Sequence, residues 1–205
     1  EQAVKYSPEC VLIVVTNPID AMVHTAFKVT GHPKNKVIGM AGVLDSARYR
    51  TFIAEELGVA PGDVNALVMG IHGDNMLPMV RLANVGGVPI TELISKERID
   101  QIVERTQKGG IEIVNHLKTG SAFYTPGLSS IEMAEAVLTD SKRVMPCAAY
   151  CEGEFGIDGY FLGVPVVLGE GGVERIIEFE LTQDEKKALA VSVKAVKKQM
   201  EETGL

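Results

Sequence analysis

Cys10-Val11-Leu12-Ile13-Val14-Val15, followed at once by Thr16-Asn17-Pro18, is the stretch that decides the fold. Six consecutive apolar residues rich in β-branched side chains match a strand buried on both faces of a parallel sheet, because a strand with one wet face would alternate. The polar stop is equally informative. Asn17 suits a helix N-cap and Pro18 the first helical position, so a helix is expected over 19–29, closed by Gly31-His32-Pro33. Val37-Ile38-Gly39 reads as a second short strand, and 44–57 as a second helix that stops at Gly58. Strand, helix, strand, helix is the order of the later half of a doubly wound sheet.

Upstream, Glu1 to Tyr6 reads as the last turns of a helix, with neither the basic start nor the apolar core of a signal peptide. The chain is expected to begin inside a domain. Downstream the pattern changes. Strands are expected over 66–69 and 77–83, with Gly86-Gly87 as a hairpin turn before Val88-Pro89-Ile90. The spaced apolar residues of 96–117 predict a long helix, broken or kinked where Gly109-Gly110 interrupts it. A helix over 129–138, strands over 144–150, 159–168 and 173–179, and a final amphipathic helix opened by the Thr182–Glu185 capping box complete the reading. The expected class is α/β then α+β: residues 1–44 the end of a parallel sheet, residues 45–205 a mixed antiparallel, helix-covered domain.

Apolar residues make up 46% and charged residues 23%, enough for a packed core. A net charge of −7 without a basic stripe excludes the nucleic-acid backbone as a partner. The longest apolar run is far too short to cross a membrane. Cys10, Cys147 and Cys151 lie at no metal-ligand spacing and form no CxxC pair, so no metal site is expected and a reducing, cytoplasmic location is. No G-x-G-x-x-G lies between a strand and a helix. Gly169-Glu170-Gly171-Gly172 falls between two strands with no helix to cap a pyrophosphate, so a complete dinucleotide site is not expected.

Three segments place polar side chains where strands end or helices begin. Asn17 follows the first strand, where open parallel sheets bind ligands, and its amide can both donate and accept; it reads equally as a helix cap. Asp45 and Arg48 share a face at the start of the second helix. The guanidinium is suited to gripping a carboxylate with two hydrogen bonds, or the two residues form a surface pair. His72, within Gly70-Ile71-His72-Gly73-Asp74, titrates near neutrality and so suits proton exchange with a hydroxyl, although a lone loop histidine is often structural.

Taken in order, Val15-Thr16-Asn17-Pro18, then Ile38-Gly39-Met40-Ala41-Gly42-Val43-Leu44-Asp45-Ser46-Ala47-Arg48-Tyr49-Arg50, then Gly70-Ile71-His72-Gly73-Asp74-Asn75-Met76 resembles the lactate/malate dehydrogenase family from end to end. Met40-Ala41-Gly42 and Gly120-Ser121-Ala122-Phe123-Tyr124 resemble its malate branch. The resemblance implies a Rossmann-type sheet followed by the family's catalytic domain, NAD as cofactor, malate and oxaloacetate as substrates, and a homodimer or homotetramer.

It also implies roles. His72 would be the general acid/base and Asp45 would hold its imidazole in one tautomer. Arg48 would clamp the substrate's C1 carboxylate, Asn17 would bond the reacting oxygen, and Ala122, where lactate enzymes usually carry Thr, would leave room for a second carboxylate. Val15, Thr16 and Asn17 would line the nicotinamide ribose side, with Met40 and Pro126 as walls of the nicotinamide pocket. His24, His32 and His116 are expected to be solvated or capping. The family's Gly-rich turn, its acidic ribose ligand and its arginine-bearing mobile loop match no residue here, so these residues alone are expected to lack NADH-dependent turnover. Two alternatives stand beside malate: lactate or another 2-hydroxy acid, and an inactive fragment acting in subunit association.

Overall fold

The computed structural model describes residues 1–119 and 122–204, His116 without its side chain. The Gly120-Ser121 part of the Gly120–Tyr124 motif and the role expected for His116 therefore lie outside the described residues.

The chain opens with a short helix α1 (Gln2–Tyr6) and strand β1 (Leu12–Val14). Helix α2 (Ile19–Thr30), strand β2 (Val37–Gly39) and helix α3 (Gly42–Leu57) follow. Two details of this opening differ from expectation. β1 is half-buried rather than fully buried, with β2 as its one strand neighbour among the described residues. The N-cap of α2 is Pro18, held extended at φ −70° and ψ 117°, so the helix starts at Ile19 and Asn17 does not cap it. Gly31 and Gly58 close α2 and α3 in the left-handed conformation, as their positions suggested. α3 carries the chain without a break across residue 44.

Next come β3 (Val64–Asn65), β4 (Val68–Met69), β5 (Leu77–Pro78), β6 (Asn84–Val85) and β7 (Val88–Pro89). The two longer strands expected here are replaced by two short ladders. β4 pairs with β5 and β3 with β6, and between the ladders the register slips by three residues. The slip is absorbed by the 3-10 turn Val80–Leu82. Pro78, which has no N–H to donate, ends the first ladder. Gly86-Gly87 makes the expected two-residue turn, with Val85 opposite Val88.

A short α4 (Ile90–Leu93) leads into α5 (Lys96–Leu117), which runs unbroken through Gly109-Gly110 where a break was expected. The reason lies in α3. A Cβ on Gly109 would sit 3.1 Å from Cδ of Arg48, so this glycine serves a close helix approach and the backbone stays helical. Helix α6 (Tyr124–Leu138), strands β8 (Arg143–Glu152), β9 (Asp158–Gly169) and β10 (Gly172–Ile176), and helix α7 (Gln183–Thr203) complete the chain. α7 begins with the expected reciprocal capping box between Thr182 and Glu185.

The parallel and antiparallel portions form one sheet, in the order β1-β2-β8-β9-β10. β1 and β2 are parallel, and the join to the antiparallel part is a single pair, Gly39 opposite Ala148. α2 and α7 pack on each other and on β9, while α3 and α6 pack on each other, α3 against β8 and α6 against β9. The main core lies along β9, from Phe161 to Leu168, with Val23, Ile38 and Met133. A second core of Tyr49, Ile53, Ile90 and Ile99 glues α3 to α4 and α5. Burying such side chains contributes roughly 1.5–3 kcal/mol each, which fixes the helices that carry the cleft residues.

Candidate active site

One cleft of about 330 Å³ gathers residues from five segments. The loop after β1 contributes Asn17, α3 contributes Arg48, the loop after β4 contributes His72, α5 contributes Ile111 and Val114, and the start of α6 with the residues before it contributes Pro126 and Ala122. The lining mixes polar side chains (Asn17, Arg48, His72) with apolar ones (Ile111, Val114, Ala122), the usual make-up of a small-molecule site.

Asp45 lies behind this lining. Its side chain is 2% exposed, against 19% for His72. His72 Nδ1 is 2.7 Å from Asp45 Oδ2, and Arg48 Nη1 donates to Asp45 Oδ1 at 3.3 Å. A carboxylate on Nδ1 keeps the proton there and leaves Nε2 as the nitrogen that can exchange a proton with the cleft. Arg48 Nε is buried without a hydrogen-bond partner among the described residues. The Asp45–Arg48 pair is not a surface pair: the two side chains are 2% and 10% exposed and stand beside a histidine.

The loop that carries His72 is pinned from several elements. Gly70 exchanges two backbone hydrogen bonds with Gly163 of β9, at 2.8 and 3.1 Å. The approach is too close for side chains, since a Cβ on Gly163 would stand 2.5 Å from Gly70 O. Ser192 of α7 donates its hydroxyl proton to Asn75 O, and Gln107 of α5 donates to Met76 O. His72's own N–H donates to Asp20 Oδ2 at 3.0 Å.

Electrostatics follow from burial and these partners. Burial pulls the His72 imidazole toward its neutral form, but the hydrogen bond and charge of Asp45, joined by the charge of Asp20, outweigh it and the net shift is upward. Arg48 opposes that shift weakly. Burial drives Asp20 from 3.8 to about 7, only partly offset by the His72 N–H and the His72 charge.

The remaining expected residues are placed as follows. Val15 and Thr16 are exposed beyond the end of β1, beside Asn17. Met40 is buried in the main core, its N–H donated to Val14 O, and does not line the cleft. His24 is not solvated: it packs edge-on against Phe27 and Phe161, and burial favours its neutral form. His32 is also buried, with Nε2 2.6 Å from Cys10 O, which ties the turn after α2 to the start of β1. Among the described residues no group of three or more His, Cys, Asp or Glu could hold a metal, and no helix is long and apolar enough to cross a membrane.

Three contributors escaped the sequence reading. Neither Asp20 nor Gln107 stood out in the sequence, and Gly109 read as part of a break or kink in a helix. Only for Asp20 was there a usable signal, its position three residues after Asn17 at a strand end.

Comparison with known proteins accords with this geometry. The lactate/malate dehydrogenase NAD-binding domain matches residues 1–39, and the alpha/beta C-terminal domain of the same family matches residues 42–204. The malate dehydrogenase of Rhodopirellula baltica is 62% identical over 191 residues, which is 93% of this chain and 61% of that protein. The chain thus spans about three fifths of the length of this curated relative. Among solved structures, malate dehydrogenase from Salinibacter ruber superposes with a TM-score of 0.97 at 52% identity, covering 99% of this chain and 66% of that one. Lactate dehydrogenase from Cryptosporidium parvum, solved with lactic acid and nicotinamide adenine dinucleotide, gives 0.95 at 46% identity, covering 98% and 65%. With both domain signatures in register, and His72 and Arg48 held at one cleft by Asp45 behind them, the chain belongs to the lactate/malate dehydrogenase family.

Proposed function

We propose that this chain forms the proton-transfer and substrate-clamping part of an NAD-dependent malate dehydrogenase. The observation that carries the reading is His72 Nδ1 held 2.7 Å from a buried Asp45, with Nε2 left to a cleft that also holds Arg48, Asn17 and Ala122. When bound, the nicotinamide supplies the hydride to the substrate's C2, or takes it up in the reverse direction. His72 in its charged form gives the Nε2 proton to the oxygen on C2 during oxaloacetate reduction, and neutral His72 recovers it during malate oxidation. Asp45 stabilises the charged form and fixes its tautomer. Arg48 has donors to spare for the C1 carboxylate, and Asn17 faces the same space.

On the cofactor side, Val15 and Thr16 are exposed next to Asn17, which lines the cleft together with Ala122 and Pro126, a partly apolar lining suited to a planar ring. The division at 44/45 into a cofactor-side remnant and a catalytic domain belongs to the same reading. So do a homodimer or homotetramer, favoured by Leu128, Ile131 and Leu138 standing 62%, 63% and 84% exposed on α6, and a cytoplasmic location, favoured by three free cysteines. The competing substrate is lactate, because the Cryptosporidium parvum enzyme superposes nearly as well.

The test joins this chain to the preceding segment of the Rhodopirellula baltica relative and follows NADH consumption. Oxaloacetate is expected to be reduced far faster than pyruvate, and His72→Asn to lower turnover by roughly 10²–10⁴-fold. Preference for pyruvate would replace malate by lactate, and an unchanged His72→Asn enzyme would remove the acid/base assignment.

A further inference from the structure

Asp20 is a buried acid that the reaction outlined above does not use. It is the second residue of α2 and only 1% exposed. A carboxylate in the first turn of a helix is ordinary, but it does its work at the surface, where water shares the charge. Here the group is withdrawn from water, and its Oδ1 has no hydrogen-bond partner among the described residues. Leaving a buried carboxylate half-satisfied is costly, so its location calls for a cause beyond capping.

Its other oxygen supplies one. Oδ2 accepts the backbone N–H of His72, a residue 52 positions further along the chain. The other ties on this loop grip its ends: Gly163 at Gly70, Ser192 at Asn75, Gln107 at Met76. Asp20 alone among these grips the peptide of the histidine itself. The charged groups that face Asp20 are His72 and Asp45, and those that face His72 are Asp45, Asp20 and Arg48. His72 thus stands between two carboxyl groups, one on its ring and one on its peptide.

We propose that Asp20 is a positioning residue for His72: its carboxylate fixes the His72 peptide so that the ring spans Asp45 and the cleft, and its charge adds to that of Asp45 in favouring the imidazolium. The inference rests on His72 being the acid/base. Burial also brings Asp20 to about 7, so it changes charge in the range where His72 works, and the two titrations are coupled. Loss of the Asp20 charge weakens the imidazolium; loss of the imidazolium weakens the Asp20 charge.

The test is carried out on this chain by nuclear magnetic resonance, with labelled histidine and aspartate, and needs no turnover. Asp20→Asn keeps an acceptor for the His72 N–H and removes the charge. The His72 titration is expected to fall by about one pH unit, while His72 amide exchange stays slow. Asp20→Ala removes the acceptor too, and exchange at that amide is expected to quicken at least ~10-fold relative to Asp20→Asn. The reciprocal variant, His72→Gln, leaves Asp20 in place, and the Asp20 carboxyl is expected to titrate higher by a similar amount. A His72 titration that ignores Asp20→Asn, or an Asp20 titration that ignores His72→Gln, overturns the proposal, and either variant suffices if the other does not fold. Coupled titrations in a chain whose fused form fails to reduce oxaloacetate would sink the dehydrogenase reading alone; uncoupled titrations in an active enzyme would sink this one alone.

Discussion

Helix α3 carries arginine–carboxylate pairs at both of its ends, and the two ends do different things. At the carboxyl end, Arg98 grips Glu56 with two hydrogen bonds, at 3.1 and 2.5 Å, and Arg105 joins Glu55 at 2.8 Å while stacking on Phe52. At the amino end, Arg48 reaches Asp45 through one longer bond of 3.3 Å. By geometry alone the carboxyl end is the better ion-pair site. Yet Arg98 and Glu56 side chains are 52% and 26% exposed, whereas Arg48 and Asp45 are 10% and 2% exposed. Exposed pairs are screened by water and hold helices in register, whereas the buried pair leaves donors unspent beside an imidazole. Burial and unfilled hydrogen-bonding capacity, more than distance, separate a site from a surface pair.

The sharpest way to break this contrast is Asp45→Asn. Removing one partner of a buried pair costs about 3–5 kcal/mol of stability, because Arg48 is left uncompensated. In the fused enzyme, turnover is expected to fall by at least roughly 10²-fold as His72 loses the tautomer control of its carboxylate. Urea unfolding and steady-state kinetics measure the two losses, and an Asp45→Asn enzyme with full activity would return Asp45 to the class of Glu56.

A second, smaller effect comes from pH. Asp20 has its carboxyl raised from 3.8 to about 7, so the folded chain keeps this proton longer than the unfolded chain does. Its stabilising contribution is complete below its unfolded value and is lost as pH rises through about 7. His72, also raised, acts with the same sign: its contribution is complete below 6.5 and lost as pH climbs past its higher folded value. Asp20→Asn removes the first contribution. The variant is therefore expected to gain on the wild type as pH rises from about 4 to about 7, by roughly 3 kcal/mol in urea unfolding. A constant difference between the two proteins across that range would show that Asp20 keeps an ordinary carboxyl.

Much of the fold was legible because the residues involved speak locally. The 10–15 run, the terminal glycines Gly31 and Gly58, the Gly86-Gly87 turn and the Thr182 capping box each carry their own physics in adjacent positions. Apart from the helix cap, which moved one residue from Asn17 to Pro18, the misreadings are cases where a distant partner decided. Gly109 could not be told from a helix breaker without Arg48 on the neighbouring helix. The two ladders around Val80–Leu82 depend on a register between segments, which pattern alone leaves free. His24 and His32 were read as solvated or capping because nothing local reveals Phe161 or the Cys10 carbonyl beside them. In the cleft, His72, Asp45, Arg48 and Asn17 came from motif order, whereas Asp20 was hidden by a role that any first-turn acid can play.

Arg48→Lys sharpens the comparison further, since it keeps the charge and removes the planar fork. The expected loss is one charge-assisted hydrogen bond to the substrate carboxylate, about 1.5–3 kcal/mol, read as a roughly 10- to 150-fold rise in KM for oxaloacetate with a smaller change in kcat. A lysine enzyme with unchanged KM would mean that Arg48 serves Asp45 alone.

Glu56→Gln closes the series at its small end. The substitution breaks the pair whose distances are the better of the two, so a distance-based view of α3 expects the larger damage here. The burial-based view expects the reverse. Arg98 stays hydrated, keeps its contact with Gln101, and is left with no uncompensated charge in the interior. The unfolding midpoint and the turnover of the fused enzyme should both stay at wild-type values, and added salt should not separate variant from wild type. If Glu56→Gln instead lowered turnover, the α3–α5 contact would have to be transmitting to Arg48 through Gly109, where a Cβ would stand 3.1 Å from Arg48 Cδ. The two ends of the helix would then be one device, and the contrast drawn between them would fail.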